Sequence, residues 1–71
     1  MAPEPHLPNE PDDDVETYVG LDQQDAEERA RERGWTTVRS LPPGMMITME
    51  YLGGRINFEV KDGRVHRSWK G

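Results

Sequence analysis

A chain of 71 residues makes one domain at most and buries only about 60% of the surface its unfolded form exposes, which argues against a large enclosed catalytic pocket. Hydrophobic and charged residues each account for 32%, and cysteine is absent, so neither disulfide staples nor thiolate chemistry is available. The formal charge of -5 is unevenly spread: Glu4, Glu10, Asp12, Asp13, Asp14 and Glu16 sit with four of the six prolines in residues 1–17, which hold no Lys or Arg.

That first segment pairs proline, which prefers extended conformations, with self-repelling carboxylates, and it has too few apolar groups to offset the entropy of ordering. A disordered acidic tail is expected over residues 1–17, and a folded domain over 18–71. Asp12-Asp13-Asp14 with His6 or His66 is the one candidate cation site, but consecutive carboxylates diverge and lack a spaced ligand framework, so no metal or cofactor is expected. Met1-Ala2-Pro3-Glu4 does not open a signal peptide and no apolar run reaches the length of a membrane span, so a cytoplasmic protein without a membrane partner is expected.

Tyr18-Val19-Gly20-Leu21 reads as a lead-in to a helix over Gln23 to Arg33, with Asp22 as its N-cap and Gly34 as a left-handed stop. Acids lie early (Asp25, Glu27, Glu28) and arginines late (Arg29, Arg31, Arg33), as the macrodipole favours. Ala26 and Ala30, one turn apart, form a narrow apolar stripe suited to close approach against a sheet. Glu28 and Glu32 interleave the arginines and no aromatic side chain joins them, so this is a solvated, ion-paired face and not a nucleic-acid surface.

Trp35 to Leu41 is rich in β-branched and aromatic residues and reads as a strand, although its alternation leaves open which of Arg39 and Ser40 points inward. Pro42-Pro43-Gly44 ends it, because neither proline can donate to a ladder. The next residues alternate, with Met45, Ile47, Met49 and Tyr51 on one side and Met46, Thr48 and Glu50 on the other. Periodicity favours a strand whose methionines fill a small core, whereas the bracketing Pro-Pro-Gly and Gly53-Gly54 favour a long connection tied at both ends.

Arg55 to Lys61 alternates without fault, with Ile56, Phe58 and Val60 toward the core and Arg55, Asn57 and Glu59 away from it. Asp62-Gly63 supplies a two-residue hairpin turn, and Arg64 to Trp69 returns as a strand with Val65 opposite Val60 and Trp69 opposite Ile56. Enzymatic function is not expected: Ser40 and Ser68 have only His6 and His66 as possible bases, and no motif positions an acid.

The run Leu41-Pro42-Pro43-Gly44-Met45-Met46-Ile47-Thr48-Met49-Glu50-Tyr51, followed by Arg55 and an alternating strand, resembles the potato inhibitor I family of serine protease inhibitors. That family includes the cereal chymotrypsin inhibitors and leech eglin, and its bacterial-type members are likewise small without a fixed disulfide requirement. Tyr18-Val19-Gly20 with Asp22 before the helix and the final Gly71 extend the resemblance over residues 18 to 71.

The resemblance implies an α+β fold: one helix packed on a small mixed sheet, with an extended protease-binding loop joining two parallel strands. The loop would comprise Met46, Ile47, Thr48, Met49, Glu50, Tyr51 and Leu52, with the scissile bond at Met49-Glu50, and Arg55, Asn57 and Gly71 would support it. Its partner would be a subtilisin-like or chymotrypsin-like serine protease, bound by a monomer. In the family, two arginines brace the loop from below. Arg55 matches the first and would pair with Glu50, whereas the second position holds the shorter, uncharged Asn57, and Gly53-Gly54 would loosen the loop's exit. The alternative reading is a non-inhibitory interaction module that docks the Met-rich loop in another apolar groove.

Overall fold

The computed structural model describes residues 11–45 and 52–71. Helix α1 spans Gln23–Glu32, and strands β1, β2 and β3 span Thr37–Leu41, Arg55–Lys61 and Arg64–Lys70. The sheet order is β1-β2-β3, with β1 parallel to β2 and β2 antiparallel to β3. This is the expected α+β arrangement of one helix and a small mixed sheet in which the strands on either side of residues 42–54 run parallel.

Asp22 caps α1 as the sequence implies, its carboxylate accepting from the Gln24 amide at 3.0 Å. Gly34 takes φ +100° immediately after the helix, where a side chain would be strained, and lets the Trp35 amide return to the Ala30 carbonyl at 3.1 Å. Ala26 and Ala30 are buried against the sheet, joining Tyr18, Trp35, Ile56, Phe58 and Val65 in one core. With only methyl groups on the buried helical stripe, α1 sits close enough for the larger side chains of the sheet to fill the layer between them. Tyr18 and Phe58 pack with ring centroids 5.3 Å apart and tilted by 43°.

β1 is shorter than expected, beginning at Thr37, because Trp35 leaves the helix stop and turns directly into the core. The inward residue of the Arg39/Ser40 pair is Ser40, whose hydroxyl donates to Glu27 of α1 at 2.7 Å. Arg39 therefore lies on the sheet face opposite the helix.

Asp62 and Gly63 both have positive φ, 53° and 77°, as a tight turn between right-twisted strands requires. The β3 register differs from the regular one. Val60 does pair with Val65, but an irregularity at Glu59/Val60 pairs Glu59 with Arg67, Ile56 with Lys70 and Asn57 with Trp69. The extra residue in β3 is His66. Without this bulge Arg67 would fall opposite Phe58 on the helix side and carry a charge into the core; with it, the small Ser68 takes that place and Trp69 moves to the outer face.

Val15–Tyr18 forms a 3-10 turn capped by Asp14, whose carboxylate accepts from the Glu16 amide at 3.0 Å. Asp13 is tied into the domain, with a side chain only 6% exposed. It accepts from the Tyr18 hydroxyl, from Trp35 Nε1 at 3.0 Å and from Arg33 Nη1 at 2.8 Å. Three donors converging from distant positions offset its loss of water, which is why this carboxylate departs from the solvated tail expected of it. Residues 1–10 of the expected tail lie outside the described residues.

Candidate functional site

Strand alternation sorts the sheet into two faces. Val38, Ser40, Ile56, Phe58 and Val65 look toward α1, while Arg39, Arg55, Asn57, Glu59 and Trp69 share the outer face. On that outer face Thr37 pairs with Arg55, and Arg39 pairs with Asn57, which in turn pairs with Trp69.

Asn57, expected to face away from the core, does so and is nevertheless 0% exposed. A buried amide needs partners, and it has two: its Oδ1 accepts from Arg39 Nε at 2.8 Å, and its Nδ2 reaches the Trp69 carbonyl at 3.4 Å. Asn57 is therefore a bracket holding Arg39 of the neighbouring strand. Among the described residues, the Arg39 Nη2 atom is buried and meets no acceptor.

Arg55 opens β2 and is fastened to Gly71. Its Nε donates to the Gly71 carbonyl at 3.1 Å and its Nη2 reaches the same oxygen, while the Gly71 amide donates to the Arg55 carbonyl at 2.8 Å. Gly71 is buried with φ +72°, so the turn that lets it face Arg55 suits a residue without Cβ. Arg55 and Gly71, named together from the sequence, are thus brought together. Farther along the same face Arg67 lies 5.6 Å from the ring centre of Trp69, and the Glu59 carboxylate sits 3.2 Å from His66 Nδ1 and 3.8 Å from Arg67 Nη1.

The segment between the parallel strands is anchored at its exit. The Gly54 carbonyl accepts from the amides of Thr36 and Thr37 at 3.0 and 3.2 Å and from the Thr36 hydroxyl at 3.2 Å, and the Arg55 amide donates to Leu52 at 3.2 Å. Gly54 is buried with φ +82°. The glycines expected to loosen this exit instead include one whose left-handed backbone turns its carbonyl onto β1. On either side of the segment, Met45 and Leu52 are 52% and 46% exposed, an unusual placement for large apolar side chains in so small a domain. Met46, Ile47, Thr48, Met49, Glu50 and Tyr51 lie outside the described residues.

Two residues of this frame escape a reading by alternation alone. Arg39 becomes visible only once β1 is placed parallel to β2 in the register that sets it against Asn57. Asp13 could have been suspected from Asp14 and Val15–Tyr18, a capping residue followed by apolar positions, which is a weak signal at that length.

The model of the peptidase inhibitor I78 family matches residues 13–68. The chain belongs to that family. As a member of a peptidase inhibitor family it is a protease-binding protein and not an enzyme, in line with the expectation from the sequence. The I78 match begins at Asp13, the residue with which the folded domain is tied at its N-terminal side. No curated protein and no solved structure gives a significant match to the chain.

Proposed function

We propose that this I78-family chain inhibits serine proteases as a substrate mimic, in the manner of the potato inhibitor I family that its loop resembles. Met46 to Leu52 would be the protease-binding segment, with Met49 entering the primary specificity pocket and Met49-Glu50 as the scissile bond. The observation that carries this reading is the joining of two parallel, hydrogen-bonded strands by that segment, with Gly54 at its exit bonded back to Thr36 and Thr37. Ends held in one sheet limit the conformations the intervening residues can visit.

Such restraint separates an inhibitor from a substrate. The protease serine attacks the Met49 carbonyl, and its oxyanion hole stabilises the tetrahedral intermediate. If the segment is held, the amine released at Glu50 stays beside the acyl group, and religation competes with hydrolysis. Prior ordering also removes entropy that a flexible peptide would lose on binding, so affinity rises without added area. Met49 is unbranched and apolar and suits the pockets of subtilisin-like and chymotrypsin-like enzymes. A trypsin-like pocket would leave its buried acid unpaired.

Titration of a fixed amount of subtilisin, with residual activity as readout, tests the reading, and chymotrypsin is expected to bind more weakly. Absence of inhibition at micromolar protein refutes it. Met49→Asp should weaken inhibition by about 100-fold or more, because a carboxylate would enter an apolar pocket unpaired, while the melting temperature stays unchanged. A variant that unfolds instead would place Met49 in the core and remove the substrate-mimic assignment. N-terminal sequencing after prolonged incubation should find the first cut between Met49 and Glu50.

A further inference from the structure

The sheet ends in β1 on one side and β3 on the other, and the two edges differ in what guards them. Along β3 the lead-in to α1 is bonded to the strand: the Gly20 amide donates to the Val65 carbonyl, the Val65 amide to the Leu21 carbonyl and the Gln23 amide to the Gly63 carbonyl, each at 2.8 Å. The bulge at His66 breaks the line of β3, and the exposed Arg64, Arg67 and Lys70 set charge along it.

β1 lacks these devices. Its Thr37 amide donates to Gly54, so Thr37, Arg39 and Leu41 direct their backbone groups toward β2, and by alternation Val38 and Ser40 direct theirs away from it. Among the described residues, no backbone hydrogen bond from outside the sheet reaches Val38 or Ser40. Neither a bulge nor a lysine interrupts Thr37–Leu41, and Pro42 comes only after the strand has ended.

We propose that the β1 edge is an interaction surface for a second copy of this chain, which adds its own β1 antiparallel across a two-fold axis at Val38. Of the registers centred on the middle of the strand, those at Arg39 and Ser40 fail. An axis at Arg39 sets the two Arg39 side chains directly opposite, with Cα atoms about 4.5 Å apart. An axis at Ser40 sets Val38 against Pro42, which has no amide to give. With the axis at Val38, the two Val38 residues exchange amide and carbonyl, each Ser40 faces Thr36 of the other copy, and each Arg39 faces Thr37 of the other copy across the outer side of a continuous sheet. The dimer carries two of the segments that join β1 to β2. The pairing rests on the backbone edge alone and is independent of the substrate-mimic reading.

A strand pair this short is a small interface, so a dissociation constant on the order of 100 µM is expected. Sedimentation equilibrium of the full chain from about 10 µM to 1 mM should show the mass moving from one chain toward two. At 1 mM about a fifth of the chains would remain monomeric, so amide exchange at Val38 and Ser40, read by nuclear magnetic resonance, should slow by about fivefold relative to dilute protein, with Asp62 and Gly63 at the hairpin tip unchanged. Thr37 is exposed, so its variants keep the fold, which melting temperature checks. Thr37→Glu sets a carboxylate opposite Arg39 of the other copy and should tighten the dimer about threefold, whereas Thr37→Arg sets like charges together and should loosen it by about the same factor.

A chain that stays monomeric at 1 mM overturns the proposal. A dimer on which Thr37→Glu and Thr37→Arg act alike overturns it too, because the pairing then lies elsewhere, and a dimer lost in Arg67→Glu would place it at β3. Subtilisin inhibition is read far below the dimer's dissociation constant and reports on single chains, so failure of the inhibitory reading leaves the edge pairing standing, and the reverse holds equally.

Discussion

Asp13 offers the sharpest quantitative test, because the sequence places it among solvated acids and the fold buries it. Replacing Asp13 with Ala removes the acceptor for the Tyr18 hydroxyl and Trp35 Nε1, both on residues of the core. A hydrogen bond to a charged group contributes about 1.5–3 kcal/mol, so the loss of two gives roughly 3 kcal/mol at the lower end. The exposed side of the cluster, where Arg33 binds, adds little, since its partner is close to water. A chain of 71 residues has a total stability of roughly 4–10 kcal/mol, so the substitution removes a large share of it. The corresponding fall in melting temperature is roughly 12–24 °C for a domain of this size. Urea denaturation read by tryptophan fluorescence measures it, with Asp12→Ala as a control expected to fall within about 0.5 kcal/mol of the wild type, since Asp12 is exposed. A loss below about 1 kcal/mol for Asp13→Ala would refute the anchoring argument.

The same cluster sets the pH dependence at both ends. Burial raises the Asp13 pKa, but the hydrogen bonds from Tyr18, Trp35 and Arg33 together with the Arg33 charge outweigh it, and the net shift is below the ordinary value of 3.8. The stability it contributes is therefore complete above that value and is lost as pH falls through the lower, folded-state pKa; Asp13→Asn should remove this acid-side slope in a series of thermal melts. Tyr18 is pushed up to about 12 by burial, by its hydrogen bond to Asp13 and by the Asp13 charge. Its contribution is complete below the ordinary value of 10.0 and is lost as pH rises toward about 12, so the wild type should lose stability over that window and Tyr18→Phe should not. In the helix, Ala30→Leu should cost about 1–3 kcal/mol in urea denaturation because the buried methyl leaves no room between α1 and the sheet, and a neutral outcome would mean that the two layers are not closely packed there.

Much of the scaffold is legible from residue types acting over a few positions. Asp22, Gly34 and Asp62-Gly63 mark the helix ends and the hairpin through local backbone chemistry, and the structure follows each of them. The parallel pairing of β1 and β2 is a different matter: no local rule distinguishes it from an antiparallel partner, and it was implied only by the resemblance of the Pro42 to Arg55 stretch. The phase of β3 escapes alternation because a period of two cannot register one inserted residue, and His66 is such a residue.

At the site, the resemblance names Arg55 and Gly71 but not the contact between them, and it gives Asn57 too little. Its alternation predicts the face on which it lies and says nothing about what covers that face. In a central strand a polar residue on the outer side can be as buried as an apolar one on the inner side, provided that a neighbouring strand supplies its partner, as Arg39 does. Asp13 illustrates the converse. Runs of acids next to prolines are read by composition, whereas its role depends on Arg33 and Trp35, 20 and 22 positions away along the chain.

The position of β2 between two partners has a mechanical consequence. A tug on Arg55 along the strand axis is shared at the same instant by the ladder to β1 and the ladder to β3, so the bonds are loaded side by side in shear and none can be peeled off first. An edge strand in that place would unzip from its free end, one bond at a time. Gly71, joined to Arg55 from the end of β3, works as a stop against the first increment of slip. A catalytic machine that pulled on this connection would therefore be working against the whole sheet.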